Sequence, residues 1–208
     1  MSKYLGPKCK LCRREGEKLM LKGERCQTAK CAVVKKNYPP GIHGPKGRPR
    51  QSGYNMQLRE KQKAKRIYNL LEKQFKISFY RAAKQPGDAG ENLLKILETR
   101  LDNVVYRLGF ADSRSQARVL VNHGHFNIND KKVNIPSFNL KPGDVIKIKA
   151  VQRNKPFAKL AEKLKTKEIP GWLNLDLKDL SAKVLHQPKK ENFEMKINIP
   201  MIVEFYSQ

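Results

Sequence analysis

Four cysteines near the start of the chain give the strongest chemical signal in the sequence. Cys9, Cys12, Cys26 and Cys31 follow a C-x2-C-x13-C-x4-C pattern. Two close thiol pairs joined by a loop could place four thiolates at the corners of a tetrahedron around one Zn²⁺. Protein sulfur would then fill every coordination position, so the zinc would be structural. An unmetallated thiol cluster and an iron–sulfur cluster are the alternatives.

The segment that carries the cysteines has few apolar residues with which to order itself. It also contains the Pro/Gly-rich stretch 38–47. A segment without a hydrophobic core of its own needs another source of order, and a bound metal can supply it. We therefore predict one structural zinc ion in a basic module over residues 1–50, which would display its lysines and arginines on a fixed scaffold.

Arginines recur at helical spacing further along the chain. Arg114 and Arg118 are four residues apart, and Arg100 and Arg107 are seven residues apart in the preceding segment. These spacings place both members of a pair on one flank of a helix. Guanidinium groups match phosphate oxygens with paired hydrogen bonds, so the pattern predicts a phosphate clamp, and Arg114 and Arg118 are expected to reach solvent. Plain surface arginines are the ordinary alternative.

Two further sets of charged or titratable residues carry weaker signals. Arg59, Arg66 and Lys73 repeat every seven residues along a predicted helix, and this stripe is either a solvated face or a face turned to RNA. His123 and His125 are interpreted as polar residues at a helix end or hairpin, not as metal ligands.

The overall charge points to a polyanionic partner. The 208 residues include 44 Lys and Arg against 19 Asp and Glu, a formal net charge of +25. The excess is highest over residues 1–50, with 14 basic residues against 3 acidic ones, but it extends along the whole chain. Several surfaces are therefore expected to face nucleic acid.

The same sequence argues against a membrane partner. No apolar run approaches the ~20 residues that span a bilayer. The N-terminal MSKYLGPKCK has neither the apolar stretch of a secretory signal nor an organelle leader. We expect a cytoplasmic protein whose cysteines are reduced thiols available to a metal.

Hydrophobic periodicity predicts an α+β fold. The helices are expected over about 56–75, over about 91–108, and from Ser113, where Ser113 and Gln116 match a capping box, to Gly124. The strands are expected at 126–129, 133–135 and 145–148, followed by an amphipathic patch at 172–185 and a strand-like end at 199–205.

These elements divide the chain into three parts. Residues 1–50 are expected to form the zinc-stapled, loop-rich module, and residues 99–150 a compact two-helix plus β-hairpin unit. Residues 51–98 form a helical body, which residues 151–208 are expected to complete by packing back onto it.

One stretch is specific enough to indicate a family. LDNVVYRLGFADSRSQARVLVNHGHFNINDKKVNIPSFNLKPGDVIKIK, from Leu101 to Lys149, closely resembles the signature of the bacterial small-subunit ribosomal protein S-four family. NYPPG with HG at 37–44, QLREKQK at 57–63, PGWL at 170–173 and IVEFYS at 202–207 are similar to that family at matching places. The resemblance thus covers nearly the whole chain, and it implies that the 99–150 unit is an RNA-binding module. The cysteines resemble its zinc-bearing branch, and other members lack them.

The arginine pairs, the basic stripe and the resemblance together predict the RNA-binding residues. We expect RNA contacts from Arg100, Arg107, Arg114, Ser115, Arg118, His123, Lys131, Lys132, Arg59, Lys63, Arg66, Tyr38 and His43.

The resemblance also implies a biological role. Members of the family bind the five-prime domain of small-subunit ribosomal RNA and act early in assembly of the subunit body. They adjoin small-subunit protein five at an interface that influences decoding accuracy, and they line the path by which messenger RNA enters. No small-molecule substrate is implied.

Two rival functions share the 99–150 module. RNA-modifying enzymes such as pseudouridine synthases carry it beside a catalytic domain, as do some aminoacyl-tRNA synthetases. Only 58 residues follow Ala150, and they contain no nucleotide-binding glycine loop and no nucleophile with a nearby base. A free regulatory or stress-response RNA-binding protein is the second rival, against which the cysteine segment and the tail argue.

Overall fold

The structure, a computed structural model, describes residues 4–47, 50, 52–149, 164, 168–177, 179–189, 191 and 197–207. The chain divides into two compact units. The first comprises Met1–Leu93 with Met195–Gln208, and the second comprises Leu94–Glu194. Among the described residues, no helix combines the length and apolar character that crossing a membrane requires.

The first unit is helical. Its helices are α1 (Lys8–Glu15), α2 (Ala32–Lys35), α3 (Gly53–Ile67), α4 (Glu72–Ala83) and the C-terminal helix, which is numbered α8 (Ile199–Ser207), with short 3-10 turns at Gly23–Cys26 and Gly44–Lys46. The side-chain oxygen of Ser52 accepts a hydrogen bond from the amide of Asn55 at 3.3 Å, which caps α3.

The single helix predicted over 56–75 is wrong, because two helices occupy this region. Asn69 adopts φ +53, and the amide of Leu70 donates to the carbonyl of Lys65. This is a Schellman ending, in which one residue in the left-handed conformation closes a helix. Asparagine adopts that conformation more readily than most residues, so the stop signal was present in the sequence.

The helix predicted over 91–108 is also divided, into α5 (Ala89–Glu98) and α6 (Leu101–Arg107). Arg100 lies between them in an extended conformation and forms a β-bridge with Asn139. The amide of Leu140 donates to the carbonyl of Thr99 at 2.9 Å. A segment 40 residues away therefore imposes the break, and local periodicity could not reveal it.

The second unit continues with α7 (Arg114–Asn122) and a five-stranded antiparallel sheet in the order β2-β1-β3-β5-β4. The strands are β1 (Phe126–Ile128), β2 (Lys131–Lys132), β3 (Val145–Ile148), β4 (Leu173–Asp176) and β5 (Ser181–Val184). Side chains of α6, α7 and the sheet form one core that includes Leu101, Val121, Phe126, Ile146 and Trp172, all 0% exposed.

The β1–β2 hairpin is tighter than the sequence suggested. Asn129 and Asp130 both have positive φ, which is the two-residue turn that matches strand twist. The second strand is therefore Lys131–Lys132, not the 133–135 run.

The C-terminal quarter differs most from expectation. β4 and β5 extend the sheet of the 99–150 module through β3, instead of the helical body with which residues 151–208 were grouped. The strand predicted at 199–205 is a helix, α8, which packs on α3. The side chain of Asn198 accepts from the amide of Met201 at 3.4 Å. This cap and the packing of α8 on α3 both favour a helix over the strand that the apolar run suggested.

Candidate nucleic-acid interface

The helix that carries Arg114 and Arg118 begins as predicted. Ser113 Oγ accepts from the amide of Gln116 at 3.3 Å, and Gln116 Oε1 accepts from the amide of Asp112 at 3.0 Å. The first contact is that of a capping box, while the second reaches one residue further back than the motif requires. Gly124, with φ +70, follows the end of the helix.

Two of the four predicted clamp arginines are held by one network centred on Glu98. Arg107 donates to both carboxylate oxygens of Glu98, at 2.8 and 3.0 Å. Asn103 Nδ2 donates to the same carboxylate at 2.8 Å, and Asn103 Oδ1 accepts from Arg114 Nε at 2.7 Å. The guanidinium of Arg114 lies 4.4 Å from the ring centroid of Tyr106. All of these side chains lie inside the second unit.

Asp102 holds the other two arginines. Arg100 donates to its two carboxylate oxygens at 3.1 and 2.9 Å, and Arg118 Nε lies 4.0 Å from Oδ2. Burial lowers the pKa of Arg118, while the nearby Asp102 opposes that shift. Arg100 and Arg118 therefore already have a protein carboxylate as their anionic partner.

The expectation that Arg114 and Arg118 reach solvent is wrong, and the other pair is buried as well. Arg100, Arg107, Arg114 and Arg118 are only 4–7% exposed. The sequence prediction did not include Glu98, Asp102 or Asn103. On a continuous helix at 100° per residue, Glu98 would lie on the side opposite to Arg100 and Arg107, so helical spacing gave no sign of the pairing. Whether any of these arginines touches RNA stays a prediction.

One exposed basic part of the second unit lies at the hairpin. Lys131 and Lys132 are both exposed, as is His123 at the end of α7, while Ser115 is half-buried. A Cβ placed on Gly124 would stand 2.7 Å from Lys132 Cε, so the Lys132 stem lies directly against this glycine. The rings of His123 and His125 are 6.0 Å apart. We call Lys131, Lys132 and His123 the hairpin corner.

The cations predicted on α3 are also engaged by carboxylates. Arg59 and Arg66 both bond Glu15 on α1, whose side chain is 3% exposed. Lys63 is buried and lies 2.9 Å from Glu17. Burial raises the pKa of Glu15, while Arg66 and Arg59 oppose that rise. The basic stripe is thus divided between two helices, and its α3 members join α1 to α3.

The loop at 38–47 is fixed by Arg13. Its Nε donates to the carbonyl of Tyr38 at 3.0 Å, and its guanidinium lies 4.7 Å from the centroid of the Tyr38 ring. Gly44 is required here, since a Cβ would stand 1.9 Å from the Pro39 carbonyl oxygen. Tyr38 is half-buried, whereas His43 and Ile42 are exposed and available to a partner.

The four cysteines border one small cavity. Cys9, Cys12, Cys26 and Cys31 line it together with mostly apolar or aliphatic atoms, and all four thiols are free of disulfides. Cys26 Sγ accepts from the amide of Lys22 at 3.3 Å. Among the described residues, however, no group of three or more His, Cys, Asp or Glu side chains is arranged to hold a metal ion. The donor set fits zinc in type and number, but the four sulfurs are not arranged in this structure to coordinate one ion.

The sequence matches known families along most of its length. A family model described as Ribosomal protein S4/S9 N-terminal domain matches residues 3–98, and one described as S4 domain matches residues 99–146. The chain is 56% identical over 209 residues to small ribosomal subunit protein uS4 of Caldicellulosiruptor saccharolyticus. It is 54% identical to the protein of that name from Heliobacterium modesticaldum and 51% identical to that from Clostridioides difficile. In each comparison all of both chains is covered.

Proposed function

The chain belongs to the ribosomal protein S4 family of the small ribosomal subunit, and on that premise we propose that it holds the five-prime domain of small-subunit ribosomal RNA and initiates assembly of the subunit body. It is a structural component of the cytoplasmic small subunit that binds ribosomal RNA and other ribosomal proteins. The observation that carries the proposal is the continuous match over residues 3–146, since both family regions are present in their order.

The proposal extends to two specific neighbours and to a structural role. The resemblance of the whole chain to the family supports an interface with small-subunit protein five that affects decoding accuracy. It equally supports a position beside messenger RNA where it enters the subunit. We infer that the role is structural and not catalytic, because the family is ribosomal.

The zinc site is also proposed. Supporting it are four thiols around one cavity and the amide hydrogen bond to Cys26 Sγ, which suits a thiolate. Bound zinc would join α1 to the segment before α2 and reduce the freedom of a part of the chain with little core. Elemental analysis of freshly purified, reduced protein should give one zinc per chain. Less than a tenth of an equivalent would refute it.

The RNA proposal is tested by measuring affinity for the isolated five-prime domain against an equal length of another ribosomal RNA domain. We expect selective binding and steep salt dependence, because many counterions are released. The logarithm of the binding constant plotted against the logarithm of the salt concentration should have a slope of about −0.7 per phosphate contacted, so ten contacts give about −7. Equal affinity for both fragments, or a nearly flat salt dependence, would contradict the proposal.

A further inference from the structure

One face of α4 is exposed and differs from the other basic surfaces of the first unit. Phe75, Phe79 and Ala82 are buried on the inner side of this helix. At 100° per residue, the opposite side forms an arc of about 140°. This outer face consists of Lys73, Lys76, Ile77, Tyr80, Arg81 and Lys84, all exposed.

The charges on the outer face of α4 are uncompensated. In the described part of the chain, Lys73, Lys76, Arg81 and Lys84 take part in no ion pair. The acidic residue of α4, Glu72, is turned to Lys61 and Lys65 at 2.7 and 2.8 Å. In contrast, Arg59, Lys63 and Arg66 of α3 are each matched by a carboxylate.

Two large apolar side chains lie at the centre of these cations. Ile77 is 42% exposed and Tyr80 is 47% exposed. The Tyr80 ring meets the Phe79 ring edge-on, with centroids 5.8 Å apart, and Lys76 Nζ lies 5.7 Å from its centroid. An aromatic ring held by a buried neighbour and flanked by cations offers a stacking surface whose orientation is already fixed.

This combination favours RNA as the occupant. Cations neutralise phosphates irrespective of sequence, and an aromatic ring stacks on any unpaired base. Lys73 and Lys84 are about 16 Å apart along the axis at 1.5 Å per residue, so the face spans several nucleotides. We propose that the outer face of α4 binds an irregular or single-stranded segment of ribosomal RNA, with Tyr80 against a base or sugar and the four cations on phosphates. The proposal rests on the proposed function and adds a contact surface to it.

The test neutralises the outer face and compares it with an equally charged change elsewhere. The α4 variant is Lys73→Gln, Lys76→Gln, Arg81→Gln and Lys84→Gln. The control is Lys18→Gln, Lys30→Gln, Lys35→Gln and Lys36→Gln, which removes four exposed cations from the cysteine-bearing segment. Both are made in the full chain, and thermal melting checks that each variant folds.

We expect the α4 variant to bind the five-prime domain RNA at least tenfold more weakly than the parent chain. Its slope of log affinity against log salt concentration should be flatter than the parent's by about 3. In chemical footprinting it should lose protection of one continuous stretch of nucleotides that the control still protects. A complete parental footprint in the α4 variant would overturn the proposal, and an acidic protein partner would then become the alternative occupant. Failure of the parent chain itself to bind would instead refute the proposed function.

A second pair of variants separates stacking from charge. Tyr80→Ala should weaken binding roughly 5- to 150-fold, whereas Tyr80→Phe keeps the ring and should bind within about twofold of the parent. Equal affinities for all three proteins would exclude contact with the Tyr80 ring.

Discussion

Four arginines lie around α6 and α7, and three lysines and one arginine lie on the outer face of α4, in opposite circumstances. The four arginines around α6 and α7 are 4–7% exposed. Arg107 pairs with Glu98, Arg100 and Arg118 pair with Asp102, and Arg114 donates to Asn103. The cations on the outer face of α4 are exposed, and in the described residues they have no carboxylate partner. A buried charge needs an opposite charge nearby, whereas a solvated charge is stable without one and remains able to bind a phosphate. Charge count therefore does not distinguish a structural arginine from one that is free to bind.

The largest expected effect is the loss of a buried carboxylate. Glu98→Ala removes the acceptor of Arg107 and Asn103 and leaves a buried guanidinium without its counter-charge. We expect a loss of ~3–5 kcal/mol in the free energy of unfolding, measured by urea denaturation of the full chain. Lys84→Ala, on the exposed face of α4, is the matched control and should change it by less than ~0.5 kcal/mol. Similar losses for both variants would erase the contrast between the two regions.

The double change Arg114→Ala and Arg118→Ala comes next. A phosphate clamp that reaches solvent, as the sequence predicts, would make this change weaken RNA binding and leave the fold intact. The structure reverses the expectation for stability, because both arginines are buried, Arg114 donates to Asn103 and Arg118 pairs with Asp102. We expect the double variant to lose at least ~2 kcal/mol in the free energy of unfolding. An unchanged melting temperature together with reduced RNA affinity would instead support a phosphate clamp that reaches solvent.

Glu15→Gln tests the same principle in the first unit. Arg59 and Arg66 would keep a neutral acceptor but lose the charge that holds α1 against α3. Since both guanidinium groups remain about one-fifth exposed, water can partly replace that charge. We expect a loss of ~1–2 kcal/mol in unfolding free energy. A loss as large as that of Glu98→Ala would show that partial exposure does not matter here.

The hairpin corner should affect RNA affinity without affecting stability. Lys131→Ala with Lys132→Ala removes two exposed cations from β2. If each lysine contacts one phosphate, the slope of log affinity against log salt concentration should be flatter than the parent's by about 1.4. Thermal melting of the variant should match that of the parent, and a salt slope identical to the parent's would remove this corner from the interface.

The smallest effect concerns Glu72. Burial opposes its ionisation, but hydrogen bonds from Lys61 and Lys65 outweigh burial and lower its pKa to about 2. A lowered pKa in the folded state stabilises the protein above the ordinary value near ~4.3 and ceases to do so as the pH falls towards 2. Because the side chain is 44% exposed, we expect Glu72→Gln to cost less than ~1 kcal/mol at pH 7. The difference from the parent should shrink between pH 4 and pH 2, and a constant difference would contradict this.

Local signals determined much of the molecule from sequence. The N-terminus of α7 at Ser113, strand β3 and the antiparallel hairpin of the second unit follow from capping, alternation and turn residues, which act over a few positions. Asn69 and Asn198 carried equally local signals for the end of α3 and the start of α8, and the interpretation of the apolar runs missed both. The family itself was also readable, because its motifs recur along the chain.

The sequence by itself therefore determined the family, the RNA-binding class of partner and a few local elements, chiefly α7, β1 and β3. Only the tertiary structure decided which cations are available, because that depends on which carboxylates the fold brings to each one. Glu15 bonds Arg66, which is 51 positions away in the sequence. Glu98 bonds Arg107, which is nine positions away and lies beyond the break between α5 and α6. A charge pattern along one helix cannot register a counter-charge supplied by another, and burial then fixes the pairing, since an unpaired ion is costly away from water.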